Sequence, residues 1–135
     1  MDDTNATWAD LFGPPISVYT RKQAIEDGVL VDVSAIAAET GIACPVAITR
    51  TVWDRYVVPD AASERLGQSL AGRLWDVVFL LQQAARRLNS QVPEGNLRVA
   101  FVMGGGQTET VTLKVVAGGG DDGELVLTVI MPEED

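Results

Sequence analysis

Residues 60–89 carry the most regular pattern of apolar side chains in the chain. The spacing is three or four residues throughout, at Leu66, Leu70, Leu74, Val77, Leu81, Ala84 and Leu88. This spacing matches the period of an α-helix with one apolar side, which Trp75 and Phe79 widen. We therefore predict one long helix over residues 60–89, with Arg73 and Asp76 as a solvated pair on its polar side.

Three later stretches, residues 97–103, 109–116 and 125–131, alternate between apolar and polar side chains. Glycine-rich segments separate them. Alternation is typical of strands with one buried face, and glycine-rich segments between strands favour hairpin turns. We predict a three-stranded antiparallel meander at the C-terminus with the long helix packed on its apolar face, which is an α+β fold.

Short helices and strands are expected before the long helix. Thr20 and Gln23 have the spacing of residues that cap a helix start reciprocally. The β-branched run at residues 29–33 predicts a strand, and Thr49 is a candidate cap for a further helix. These signals alternate without any repeated sequence.

The segment Gly13-Pro14-Pro15 divides the chain, because consecutive prolines exclude a continuous helix or a central strand. We predict an N-terminal arm, residues 1–15, followed by a single α+β domain, residues 16–135. A composition of 47% hydrophobic residues is sufficient for one buried core in a domain of this size.

The arm carries Trp8, Leu11 and Phe12, whose spacing places all three on one side of a short helical turn. Such an apolar segment often docks into a groove. The groove can belong to its own domain, to a sister subunit in a homodimer or to a foreign partner. These three residues are therefore candidate partner-binding residues.

The formal net charge is −9, which opposes direct binding to nucleic acid or to an anionic membrane surface. Residues 1–15 contain three acids and no base, and residues 97–135 contain seven acids and two bases. Asp121, Asp122 and Glu124 lie together in the glycine-rich segment before the last strand. We take this acidic turn as a second candidate partner-binding surface.

The side chains of common catalytic and metal sites are scarce. Histidine, the commonest general base and metal ligand, is absent. The single cysteine, Cys44, lies in an apolar run, where a thiol usually packs as a small hydrophobe. The glycine-rich segments lack the residues of a phosphate-binding loop and the ligand spacing of a calcium loop. We expect no enzyme activity, no metal and no cofactor.

The first residues carry acids where a secretory signal carries bases, and no apolar run is long enough to span a bilayer. A lone cysteine also suits a reducing compartment. We expect a cytoplasmic protein that is neither exported nor embedded in a membrane.

Several segments resemble an uncharacterised family of small bacterial proteins. They are residues 18–33, residues 45–49 with Val52 and Trp53, and the ending, residues 120–135. Members of that family often accompany plasmids, prophages and other mobile elements. The resemblance covers most of residues 16–135 and implies a cytoplasmic accessory protein, without an activity.

Two kinds of function remain open. The first is a non-enzymatic protein-interaction protein of a mobile element, accessory or inhibitor-like, one version being an acidic mimic of DNA. The alternative is a small-molecule or anion-binding domain, or a small enzyme, that uses Tyr19, Arg21 and Asp32 near the start of the first helix.

Overall fold

A computed structural model describes residues 19–135. The arm, with Trp8, Leu11 and Phe12, lies outside the described residues. Within residues 19–135, no helix is both long and apolar enough to cross a membrane. The elements in chain order are α1 (Arg21–Glu26), β1 (Leu30–Asp32), α2 (Ser34–Glu39), β2 (Val46–Thr49), α3 (Arg50–Val52), a π-helical turn (Trp53–Val57), α4 (Ala61–Arg65), α5 (Leu70–Ala85), β3 (Glu94–Val102), β4 (Thr108–Gly119), β5 (Leu125–Ile130) and a 3-10 turn (Pro132–Glu134).

The strands form one five-stranded mixed sheet in the order β1-β2-β5-β4-β3. β3, β4 and β5 pair in antiparallel fashion, β2 runs parallel to β5, and β1 pairs antiparallel with β2 at the edge. The predicted α+β class is confirmed. The predicted three-stranded sheet is too small, because Val46 pairs with Leu127 and no local pattern reveals a pairing between positions so distant in the chain.

The main core lies between one face of this sheet and the helices that cover it. α5 contributes Leu74, Val77, Val78 and Leu81. The sheet contributes alternate residues of four strands, namely Val46, Ile48, Leu97, Val99, Phe101, Val111, Leu113, Val115, Leu127 and Val129. Burial of each such side chain contributes about 1.5–3 kcal/mol, so this layer is the main source of stability.

The predicted helix over residues 60–89 is divided into α4 and α5. Gly67 has a φ of +92°, a left-handed conformation that glycine adopts most easily and that ends α4. The Ser69 hydroxyl then accepts a hydrogen bond of 3.0 Å from the Gly72 amide and caps α5. The regular apolar spacing concealed this break, and Leu66, counted within the apolar pattern, is exposed.

Two of the predicted helix starts are confirmed. Thr20 accepts from the Gln23 amide, and the Gln23 side chain accepts from the Thr20 amide, which completes a reciprocal cap for α1. The Thr49 hydroxyl accepts a longer hydrogen bond, 3.4 Å, from the Val52 amide at the start of α3. Local capping signals therefore placed these helix starts correctly.

Arg73 is buried, with 3% of its surface exposed, so the predicted solvated pair with Asp76 is wrong. Its guanidinium donates to the carbonyl oxygen of Tyr56 at 2.8 Å and to that of Val102 at 2.5 Å. A third, longer hydrogen bond of 3.3 Å reaches the Gln68 side chain. Arg73 thus connects α5 to the π-helical turn and to the end of β3.

The position of Leu74 in the core generates a stability prediction. Leu74→Asp should destabilise the domain by several kcal/mol, because an unpaired carboxylate is costly in an apolar environment. The control Leu70→Asp changes an exposed side chain in the first turn of α5, where an acid is tolerated. Urea unfolding should separate the two variants, and equal midpoints would contradict this packing of α5.

A second stability prediction concerns the shape of the Arg73 side chain. Arg73→Lys keeps the charge, but an ammonium group lacks the planar, forked arrangement of N–H donors with which the guanidinium reaches two separate carbonyl oxygens. We expect a loss of about 1.5–3 kcal/mol in the free energy of unfolding, the usual contribution of a hydrogen bond to a charged group. The control is Arg87→Lys, which changes an exposed arginine in the turn just after the end of α5. An Arg73→Lys variant with native stability would show that the carbonyl contacts contribute little.

Candidate functional site

The acidic turn contacts the start of α1. Asp121 accepts hydrogen bonds from the backbone amides of Arg21, at 2.8 Å, and Lys22, at 3.0 Å. The amide of Lys22 and then that of Arg21 lower the pKa of the Asp121 carboxyl, because they stabilise its charged form. The helix start that was expected to attract an external anion therefore holds a carboxylate of the chain itself.

Tyr19 and Arg21, the candidates for anion binding, have partners within the domain. The Tyr19 hydroxyl donates to Asp27 at 2.7 Å, which raises the pKa of Tyr19. The Arg21 guanidinium donates to the Thr128 hydroxyl at 2.7 Å and to the Leu127 carbonyl at 2.9 Å. Burial lowers the pKa of Arg21. The Arg21 side chain fastens α1 to β5.

Asp32 closes the turn between β1 and α2. Its Oδ1 accepts from the amide of Ser34 at 3.0 Å and from the hydroxyl of the same residue at 2.5 Å. Arg21, Asp32, Asp121 and Glu124 line one depression of about 340 Å³. The structure thus brings Arg21 and Asp32 together beside the acidic turn, while Tyr19 is not part of that lining.

The remaining acids near the C-terminus are largely paired within the domain. Glu133 accepts from Arg55 at 3.1 Å, Glu134 accepts from the Thr49 hydroxyl at 2.8 Å, and Asp135 pairs with Lys114. Asp122 and Glu124 are exposed at the tip of the acidic turn. In the described part of the chain, no three Asp, Glu or Cys side chains converge to hold a metal ion.

The outward side of α5 carries two large aromatic residues that sequence reasoning assigned to the core. Trp75 is 43% exposed and Phe79 is 49% exposed. With Gln83 and Arg87 they line a depression between α5 and the end of α2. Because they are four residues apart, the sequence predicts that they lie on the same side of the helix. The sequence does not show whether that side faces the sheet or the solvent.

A third depression lies at the C-terminal end of α5. It has a volume of about 730 Å³ and lies between that helix end, the loop after α2 and the β4–β5 hairpin. Its walls are mainly apolar and include Ile42, Cys44, Leu88, Leu125 and Leu127, with Arg86 among them. We refer to it as the α5-end pocket. The sequence offered no sign of it, because its walls come from four separate segments.

The profile of a family of unknown function, DUF6573, matches residues 13–135. The chain belongs to this family. The expected resemblance to a family without an assigned activity is thereby confirmed. The DUF6573 match includes all the helices and strands described above. It also includes the residues around Trp75 and Phe79 and those of the α5-end pocket. No curated protein and no solved structure matches the chain significantly.

The hydrogen bonds that Asp121 accepts at the start of α1 predict how the stability of the domain depends on pH. Its pKa is lower in the folded state, so the stabilisation by the charge is present above the ordinary carboxyl value of about 3.9 and is lost as pH falls through the lowered value. Asp121→Asn should lower the melting temperature at neutral pH, and the difference from wild type should shrink in strongly acidic buffer.

Asp122→Asn is the matched control, because Asp122 is an exposed neighbour in the same turn. Its melting temperature should follow that of the wild type across the pH range. A difference between Asp121→Asn and wild type that does not depend on pH would show that the carboxylate charge is unimportant at the start of α1.

Proposed function

We propose that this DUF6573 member is a non-enzymatic protein-interaction protein that binds its partner through the outward side of α5. The carrying observation is the exposure of Trp75 and Phe79 on adjacent turns of a helix whose other side forms the core. Large exposed apolar surfaces with a polar border often mark interaction sites, and tryptophan is enriched among residues that dominate binding energy.

The chemistry of the surface defines the partner. Trp75 and Phe79 favour apolar side chains. Arg86, Arg87 and Glu39 line the same depression, and neither arginine forms an ion pair with any of residues 19–135, so the net charge of the three is positive. The partner segment we propose therefore carries apolar side chains next to a carboxylate. Its affinity should depend mainly on apolar contact and only weakly on salt, because a single exposed ion pair contributes little.

The acidic DNA mimic has less support than contact through α5. A mimic needs carboxylates that are free to meet a basic groove. Asp121, Glu133, Glu134 and Asp135 are all bonded within the domain. Asp122 and Glu124 remain as exposed acids of the candidate turn, and two charges are few for such a role.

The setting we propose follows the resemblance to bacterial proteins of mobile elements. In that setting the chain is an accessory or inhibitor-like protein, and its partner belongs to the element or to its host. The arm with Trp8, Leu11 and Phe12 stays a predicted partner-binding segment, since it lies outside the described residues.

Site-specific photo-crosslinking tests contact through α5. A photoreactive amino acid in place of Gln83 lies within the proposed surface, and one in place of Thr110 lies on the opposite, exposed face of the sheet. We expect one protein to crosslink at position 83 and not at position 110, and we expect the same product when irradiation is carried out at high salt. The paired substitution of Trp75 and Phe79 by alanine should abolish this product.

The matched control replaces Leu66 and Val92, which are similarly exposed but lie elsewhere, by alanine. This variant should retain the crosslinked product and the measured affinity for the purified partner. Equal crosslinking at both positions, or equal losses in the two double variants, would contradict the proposal. A product that forms from position 122 only when irradiation is carried out at low salt would instead support the acidic mimic.

A further inference from the structure

The α5-end pocket has the size and lining of a small-molecule site. Its volume of about 730 Å³ falls within the range typical of ligand pockets, roughly 300–1,000 Å³. Most of its wall is aliphatic, and Leu125 at the hairpin end is 59% exposed. Binding of an apolar group that displaces water from such a pocket has a favourable free energy.

The charge of the pocket is opposite to that of the whole chain. The sequence has 19 acidic and 10 basic side chains. Of the described residues that line the pocket, Arg86 is nevertheless the one that is charged, and none carries a carboxylate. Among residues 19–135, no acid forms an ion pair with Arg86. The polar contact available to a ligand is therefore a guanidinium, which binds carboxylates well.

We propose that the α5-end pocket binds an amphipathic organic anion, with an acyl or similar apolar body against Ile42, Leu88 and Leu127 and a carboxylate at Arg86. The apolar walls provide most of the affinity, and Arg86 selects the anion over a neutral molecule of the same length. This proposal does not use Trp75 or Phe79, although Arg86 also lines the depression beside them.

Cys44 allows occupancy to be measured on the unmodified full chain. It is the single cysteine of the sequence, it lines the pocket and it is partly exposed. Iodoacetamide should alkylate this thiol, and decanoate should slow the reaction in a saturable manner. Calorimetry should give a matching affinity for decanoate. Decanol, which has the same chain length without the charge, should bind about tenfold more weakly or worse, as expected for loss of a charged hydrogen bond.

Arg86→Gln should weaken decanoate binding by about tenfold or more while leaving decanol binding unchanged. The matched control is Arg65→Gln. Arg65 also lies at the C-terminal end of a helix, α4, but outside the pocket lining. Both variants lose a cation near a helix end, so a general effect on helix stability would appear in both. Thermal melts confirm that each variant is folded at the assay temperature.

Four results would overturn the proposal. Decanoate could fail to protect Cys44, decanoate and decanol could bind equally, or Arg65→Gln could weaken binding as much as Arg86→Gln. The fourth is binding that occurs only after residues 1–12 are removed, since the pocket would then belong to the arm. Protection of Cys44 by decanoate that depends on Arg86 and not on Arg65 would establish the site.

Discussion

The buried guanidinium of Arg73 is the contact on which the arrangement of the helices depends. It supplies hydrogen bonds to two backbone carbonyls, one in the π-helical turn and one at the end of β3, and lies 5.5 Å from the centre of the Phe101 ring. Buried carbonyls need donors, and a buried cation needs acceptors. The guanidinium supplies the donors and the two carbonyls supply the acceptors. Three segments from different parts of the chain are therefore held together at Arg73.

The rotation of α5 about its axis follows from this contact. With Arg73 directed at Tyr56 and Val102, the next residue, Leu74, enters the core, and Trp75 lies a further step around the helix, outside it. Successive residues of an α-helix are separated by about 100°, so fixing one position fixes its neighbours. The exposed surface proposed for partner binding is thus a consequence of the same contact that organises the core.

Several acids make structural contacts that the net charge did not suggest. Asp121 caps α1 from the opposite end of the sequence, and the carboxylates at the C-terminus bind Thr49, Arg55 and Lys114. These contacts join distant segments to the sheet. The surface that we propose for binding lies instead on α5, where Trp75 and Phe79 are exposed, although the chain as a whole is acidic.

The sequence alone determined the α+β class, the caps at Thr20 and Thr49, and the alternating burial of β3 and β4. All of these depend on residues a few positions apart. In β5 the prediction was wrong at Leu125, which is exposed, and Val126 and Ile130 on the other face are buried as well. Only the tertiary structure decided the parallel pairing of β2 with β5, the burial of Arg73, the exposure of Trp75 and the walls of the α5-end pocket. Each of these requires segments that are far apart in the chain to meet. Local periodicity predicts that a helix has an apolar side. Which of its side chains are buried depends on how distant elements pack against the helix.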